Sequence, residues 1–171
     1  MAISSSAPSR LPEHRLVPVC ALAREPEELA AHFAIRRRVF VEAQGLFEDD
    51  DRDERDDAPA TLHAVGLAGA EVVGAVRLYP LDDDGRWKGD RLAVLPNERA
   101  LRLGAMLVRF AVRTAGERGG RIMVARIQVP NVPFFERLGW RCDGPAAPML
   151  GVTHQPMAIG LSPVPSRRPV R

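Results

Sequence analysis

The stretch RLAVLPNERALRLGAMLV, Arg91 to Val108, constrains the fold more than any other. It opens as a short apolar run closed by Pro96 and passes almost at once into a helical pattern. Leu103, Met106, Leu107, Phe110 and Ala111 fall at i, i+3, i+4, i+7 and i+8, a stripe that one face of an α-helix must bury. Gly119 and Gly120 end that helix. A buried strand that hands over to an amphipathic helix reads as mixed α/β. The first amides of such a helix have no intrahelical partner, and the macrodipole makes that end positive. With Arg91, Arg99 and Arg102 close by and Gly104 leaving the backbone bare, the junction suits a pyrophosphate-bearing ligand. An ordinary strand–loop–helix with surface arginines is the alternative.

The rest of the chain builds around this unit. RLVPVCALA (15–23) reads as a first strand. Residues 25–45 read as a helix, with Pro26 in its first turn and Leu29, Phe33, Arg36 or Arg37, and Phe40 facing a core. TLHAVGLA and EVVGAVRLYP form a hairpin, LDDDGRWKGD a polar loop, and RLAVLP a fourth strand. RIMVARIQV is a fifth strand, NVPFFERLGW a short helix with Asn131 as N-cap and Gly139 as its stop, and VTHQPMAIGL a last strand. This gives one domain over 15–161, with a Ser/Pro-rich arm (1–14) and a Pro/Arg-rich tail (162–171) expected to be disordered. At 171 residues the chain can bury a core without a metal or disulfide staple.

No run of 18 apolar residues exists and the N-terminus has no apolar signal core, so no membrane partner is expected. Two distant cysteines, Cys20 and Cys142, fit a reducing cytoplasm, and no Cys- or His-rich cluster suggests a metal. EDDDRDERDD, Glu48 to Asp57, has a net charge of −6 and leaves +8 on the rest of the chain. The arginines are dispersed and few aromatics could stack on bases, so an anionic small ligand explains them without nucleic acid. The acidic run reads as a solvated loop, or as one that draws a cationic amine toward a site.

These residues resemble a family. RLAVLPNERALRLGAMLV looks like the acetyl-CoA-binding motif of the GCN5-related N-acetyltransferases, Arg/Gln-x-x-Gly-x-Gly/Ala, with Arg99 and Gly104 at its ends and Arg102 in place of the middle glycine. FFERLGW, IRRRVFVEAQGLFEDDDRDERD and VTHQPM resemble further segments of that superfamily. EAQGLFEDDDRDERD, RWKGDRL and QVPNVPFFERLGW resemble the acetyltransferases of bacterial nitrogen-starvation clusters that sit beside a nitrilase.

The resemblance implies a single twisted, mostly antiparallel sheet, flanked by helices, with a V-shaped splay between strands 4 and 5. It implies acetyl-CoA as co-substrate and no metal. The pantetheine arm would lie on Leu92, Ala93 and Val94, and the pyrophosphate on the loop from Arg99 through Leu101, Arg102, Leu103 and Gly104 to Ala105. Gln128, or Asn131 if the helix is offset, would touch CoA. Phe135 stands where the family often has a tyrosine acid, and it has no proton to give. The implied reaction is direct transfer of acetyl to a primary amine of a small molecule. A homodimer remains open.

For the base, His154 on the last strand borders the acceptor site, and an imidazole suits general-base work. Glu42 near the end of the first helix is the next candidate, followed by His63. Trp87 is either a lid on the acceptor pocket or a packed residue, and Cys142 reads as structural. Two other functions stay open: a non-catalytic acyl-CoA sensor or partner module, and an acyltransferase using longer chains.

Overall fold

The computed structural model describes residues 17–96 and 100–162. The expected arm at 1–14, the expected tail after Ser162, and Arg99 lie outside the described residues. The elements run β1 (Val19–Leu22), α1 (Pro26–Arg36) continued by a wider π turn (Arg37–Ala43), a 3₁₀ turn (Glu54–Asp57), β2 (Leu62–Ala68), β3 (Glu71–Pro80), β4 (Arg86–Val94), α2 (Ala100–Glu117), β5 (Ile122–Gln128), α3 (Val132–Arg137), β6 (Arg141–Cys142), β7 (Ala147–Met149) and β8 (Val152–Gly160). One sheet has the order β1-β2-β3-β4-β5-β8-β6, with β7 also on β8. Every pairing is antiparallel except β4 with β5.

Local chemistry explains the helix ends. Pro26 occupies the first turn of α1, and Glu28 reaches back to accept from the Arg24 and Glu25 amides at 2.8 and 3.2 Å. On one face of the sheet, Leu103, Leu107, Ala111 and Ala115 of α2 pack on Leu78, Trp87, Met123 and Met157. The helix comes close because Gly66 and Gly74 lie beneath it. A Cβ on either would stand 2.8 Å from a methyl of Leu103 or Leu107. On the other face, Ile35 and Phe40 cover Ala75 and Ala93.

Two expectations change here. β4 begins at Arg86, inside the stretch read as a loop. Its polarity hid a two-residue alternation, in which Trp87 and Gly89 are buried while Arg86 and Lys88 are less so. Trp87 therefore packs in the core, 6% exposed, and is no lid.

The acidic run is exposed along most of its length, as read, but Asp51 and Asp56 turn inward and are buried. Arg36 is the arginine of the core-facing stripe and is fully buried. It donates to Asp51 at 2.8 Å and grips both oxygens of Asp56 at 2.6 and 3.0 Å. Arg77 does the same to Asp90 (2.7 and 2.9 Å) and Asp53 (2.6 and 3.1 Å). Burial pushes the Asp56 carboxyl up, but its bonds to Arg36 and the Asp53 amide outweigh that and hold it well below the usual range. The segment folds because three cations, on α1, β3 and β4, wait for it.

Candidate active site

The site begins with what β4 and β5 fail to do. They pair only at Arg86↔Ile122, Trp87↔Met123 and Lys88↔Val124. Beyond that β4 stays with β3 as far as Val94↔Gly74, and β5 stays with β8 as far as Gln128↔His154. The sheet opens into a V. At the opening, Arg91 adopts φ +53, and Arg91 with Leu92 stands opposite Val76 alone, a β-bulge. A left-handed arginine is uncommon, and such backbone concentrates at functional sites. From Gly89 to Val94 the edge of β4 toward β5 has no strand partner. Its amides and carbonyls are available to a peptide-like arm such as pantetheine.

A cavity of about 210 Å³ fills the opening. Its walls are β4 from Lys88 to Leu92, Met123 and Ala125 to Gln128 of β5, Phe40, Gln44, Leu46 and Phe47 from the π turn and the segment after it, Val108 and Ala111 of α2, and Asn131, Phe135, Trp140 and His154. The π turn brings Gln44 here, and Gln128 donates to the Gln44 side-chain carbonyl at 3.1 Å. π turns interrupt helices most often at functional sites. His154 pairs directly with Gln128, so the two side chains share a face of the sheet. The His154 ring is buried, and Nδ1–H donates to the Val152 carbonyl at 2.8 Å. That bond assigns the proton to Nδ1 and leaves Nε2 with its lone pair and no hydrogen-bond partner among the described residues.

The other expected residues fall as follows. Leu92 lines the cavity, whereas Ala93 is buried on the α1 side and Val94 lies beyond the cavity wall. Gly104 faces Val94 and Phe134. A Cβ there would stand 3.9 and 3.6 Å from them, so the glycine leaves a gap between the first turns of α2, β4 and α3. Leu103 is a core residue, 2% exposed, which leaves only its backbone for a ligand. Arg102 is exposed and Ala105 half-buried. The side chain of Leu101 lies outside the described residues. Asn131 borders the cavity at the N-cap of α3, yet its side chain makes no capping bond, contrary to expectation. Phe135 lines the cavity and packs edge-on against Trp140.

Glu42 is exposed, lies outside the cavity wall and pairs with Arg37 at 3.4 Å. His63 is away from the cavity, in contact with His32. Arg91, read as part of a phosphate cradle, instead binds Asp51 (3.1 Å) and Asp53 (3.3 Å). Tyr79 sits behind the wall and donates to Asp90 at 3.2 Å. Burial and that carboxylate push its pKa up to about 12, so it holds its proton. The bulge, Gln44 and Trp140 escaped sequence reasoning, because no local pattern marks a left-handed arginine or a π turn.

The model of the acetyltransferase (GNAT) family matches residues 23–140. The chain belongs to this family. Among its GNAT relatives, the uncharacterized N-acetyltransferase YjcF of Bacillus subtilis is 28% identical over 120 residues, 70% of this chain and 83% of that one. The structure of Escherichia coli ElaA superposes with a TM-score of 0.73 at 21% identity, covering 83% of this chain and 99% of that one. An aminoglycoside 6′-N-acetyltransferase complexed with coenzyme A gives a TM-score of 0.68 at 17% identity, with 86% and 99% coverage. These two establish the shared fold.

Proposed function

We propose that this acetyltransferase moves acetyl directly from acetyl-CoA to a primary amine of a small molecule, with His154 as general base. The observation that carries it is the free Nε2 of His154 in the wall of the β4–β5 opening. The pantetheine arm lies along the unpaired edge of β4 at Leu92, Ala93 and Val94. The pyrophosphate rests on the first turn of α2, on backbone from Arg99 and Leu101 to Ala105, with Arg102 adding charge. Gln128 and Asn131 border the arm, and Phe135 packs beside it.

The amine nitrogen attacks the thioester carbon. A C–N bond forms as one amine proton passes to His154 Nε2. The oxyanion accepts from a backbone amide at the Arg91–Leu92 bulge, the usual large contribution in acyl transfer. The C–S bond then breaks and the thiolate leaves. A free thiol has a pKa of about 8.5, so the thiolate departs without an acid, consistent with Phe135 where a tyrosine would donate. Membership of the nitrogen-starvation branch belongs to the same reading, supported by the segments quoted above, and so does a cytoplasmic setting, supported by two distant free cysteines.

Release of free CoA from acetyl-CoA, measured against a panel of primary amines, tests this. Amine-dependent release, lost in His154→Ala, is the expected result. Tight acetyl-CoA binding with no release on any amine would make the protein a sensor instead.

A further inference from the structure

We infer that Asp51 and Asp53 of the acidic run are positioning residues for acyl transfer: through the Arg91 side chain they hold the β4 bulge in the shape that meets the thioester. This rests on the acyl-CoA reading above.

The left-handed backbone of Arg91 has no local explanation. Among the described residues, Leu150 is the other non-glycine with a positive φ. It stands with Gly151 in the two-residue turn between β7 and β8, where both central positions turn left-handed. Arg91 lies inside a strand, with no such turn around it. The conformation disfavours an L-residue by about five- to thirty-fold in an equilibrium constant. Such backbone persists only where its surroundings over-determine it.

Here the surroundings are the acidic run. Arg91 Nε and Nη2 donate to the Asp51 carbonyl at 3.2 and 3.0 Å. Nε also stands 3.1 Å from the Asp51 carboxylate, and Nη2 donates to Asp53 at 3.3 Å. The guanidinium lies over the Phe47 ring. Both aspartates are themselves fixed, Asp51 by Arg36 of α1 and Asp53 by Arg77 of β3. The run therefore ties α1 and β3 to β4 at its bulge. With its guanidinium so engaged, Arg91 serves the site through its backbone. Were the tether lost, position 91 would return to extended backbone, and the amides beyond it would turn to the opposite edge of the strand. Acyl-CoA would then have to restore the bulge on binding, and its affinity would fall by the fraction of protein that lacks it.

Calorimetry of the full chain with acetyl-CoA, and with adenosine 3′,5′-bisphosphate as part of the nucleotide end alone, tests this. Arg91→Ala is expected to weaken acetyl-CoA binding about five- to thirty-fold and to leave the bisphosphate within about two-fold. Arg91→Gly, which takes a positive φ without strain, is expected to bring acetyl-CoA back within about three-fold of the parent. Asp53→Ala is expected to weaken acetyl-CoA binding a few-fold in the parent and not in Arg91→Gly, where no tether is left to lose. Unchanged acetyl-CoA affinity in Arg91→Ala overturns the inference. So does an Arg91→Gly protein as weak as Arg91→Ala, which would make the guanidinium itself a ligand contact. An equal loss for the bisphosphate would return Arg91 to the phosphate cradle, and equal losses from Asp53→Ala in both backgrounds would break its link to Arg91; either overturns the inference. All of these leave the acyl-CoA reading standing, whereas a parent protein that binds no acetyl-CoA overturns both.

Discussion

His32 Nε2 stands 3.2 Å from His63 Nδ1, inside a buried chain that ends on two backbone carbonyls. The outer nitrogens face Ala64 O and Asp56 O, each at 3.1 Å. Three links need three protons, and two neutral imidazoles supply two. A third proton would complete the chain, but burial opposes it, and so does the neighbouring Arg36 charge. Burial chiefly, then the charges of His63 and Arg36, lower the His32 pKa to about 3, and burial lowers His63 as well.

Acid should therefore destabilise the fold before any carboxylate titrates. Both histidines have folded pKa values below the unfolded 6.5. Their contribution is present above pH 6.5 and is lost as the unfolded chain takes up protons that the native state refuses. The slope is at most about 1.4 kcal/mol per pH unit for each such proton. Urea midpoints from pH 7.5 to 5 should fall below 6.5. Flat midpoints across that window would mean that both histidines take up a proton in the native state.

The Arg36 cluster should be far less forgiving than the surface. Arg36→Ala leaves Asp51 and Asp56 buried without their main cation, and the loss of such a partner costs about 3–5 kcal/mol. Arg37→Ala removes an exposed pair with Glu42 and an exposed bond to the Asp49 carbonyl, and should change stability by less than about 0.5 kcal/mol. Denaturant unfolding of both variants checks the contrast.

Gly104→Asp should weaken CoA binding, measured at a temperature where the variant is still folded. The gap facing Val94 and Phe134 accepts a Cβ at ordinary contact distance, while a carboxylate at the first turns of α2 repels phosphate. A Kd raised by about ten-fold or more corresponds to at least 1.4 kcal/mol. An unchanged Kd would move the pyrophosphate away from this turn.

His154→Ala should lower kcat/KM by about 10²-fold, the low end for general-base catalysis. The parent enzyme should show a single rising limb with pH and no falling limb near pH 8–9. Phe135→Tyr should raise the rate or introduce that limb. A His154→Ala enzyme with the parent profile would remove it as base.

Much of this was legible in the chain. The stripe from Leu103 to Ala111 and the hairpin before it depend on contacts a few residues apart, and they formed as read. Most of the acidic run is exposed as read, but Asp51, Asp53 and Asp56 gave no sign of their role, because their partners, Arg36, Arg77 and Arg91, are spread over three elements and meet only when the sheet forms. β4 was misjudged at its start, since a strand buried on one face with lysine and aspartate on the other resembles a loop. The bulge at Arg91 has no sequence mark at all.

The opening between β4 and β5 has one more consequence. The half of the sheet from β1 to β4 and the half from β5 to β8 share three residue pairs along their seam. A pantetheine arm, which carries amides of its own, would serve there as the absent strand and complete the ladder from outside the polypeptide, as added strands do at open sheet edges. Substrate would then act as a structural component. The amides of β4 beyond Lys88 that point away from β3 should exchange with deuterium readily in the free protein and slow when CoA binds. At a hundred times its Kd the ligand should add about 2.7 kcal/mol to the stability of the whole, turning two loosely joined half-sheets into one cooperative unit for as long as the substrate stays.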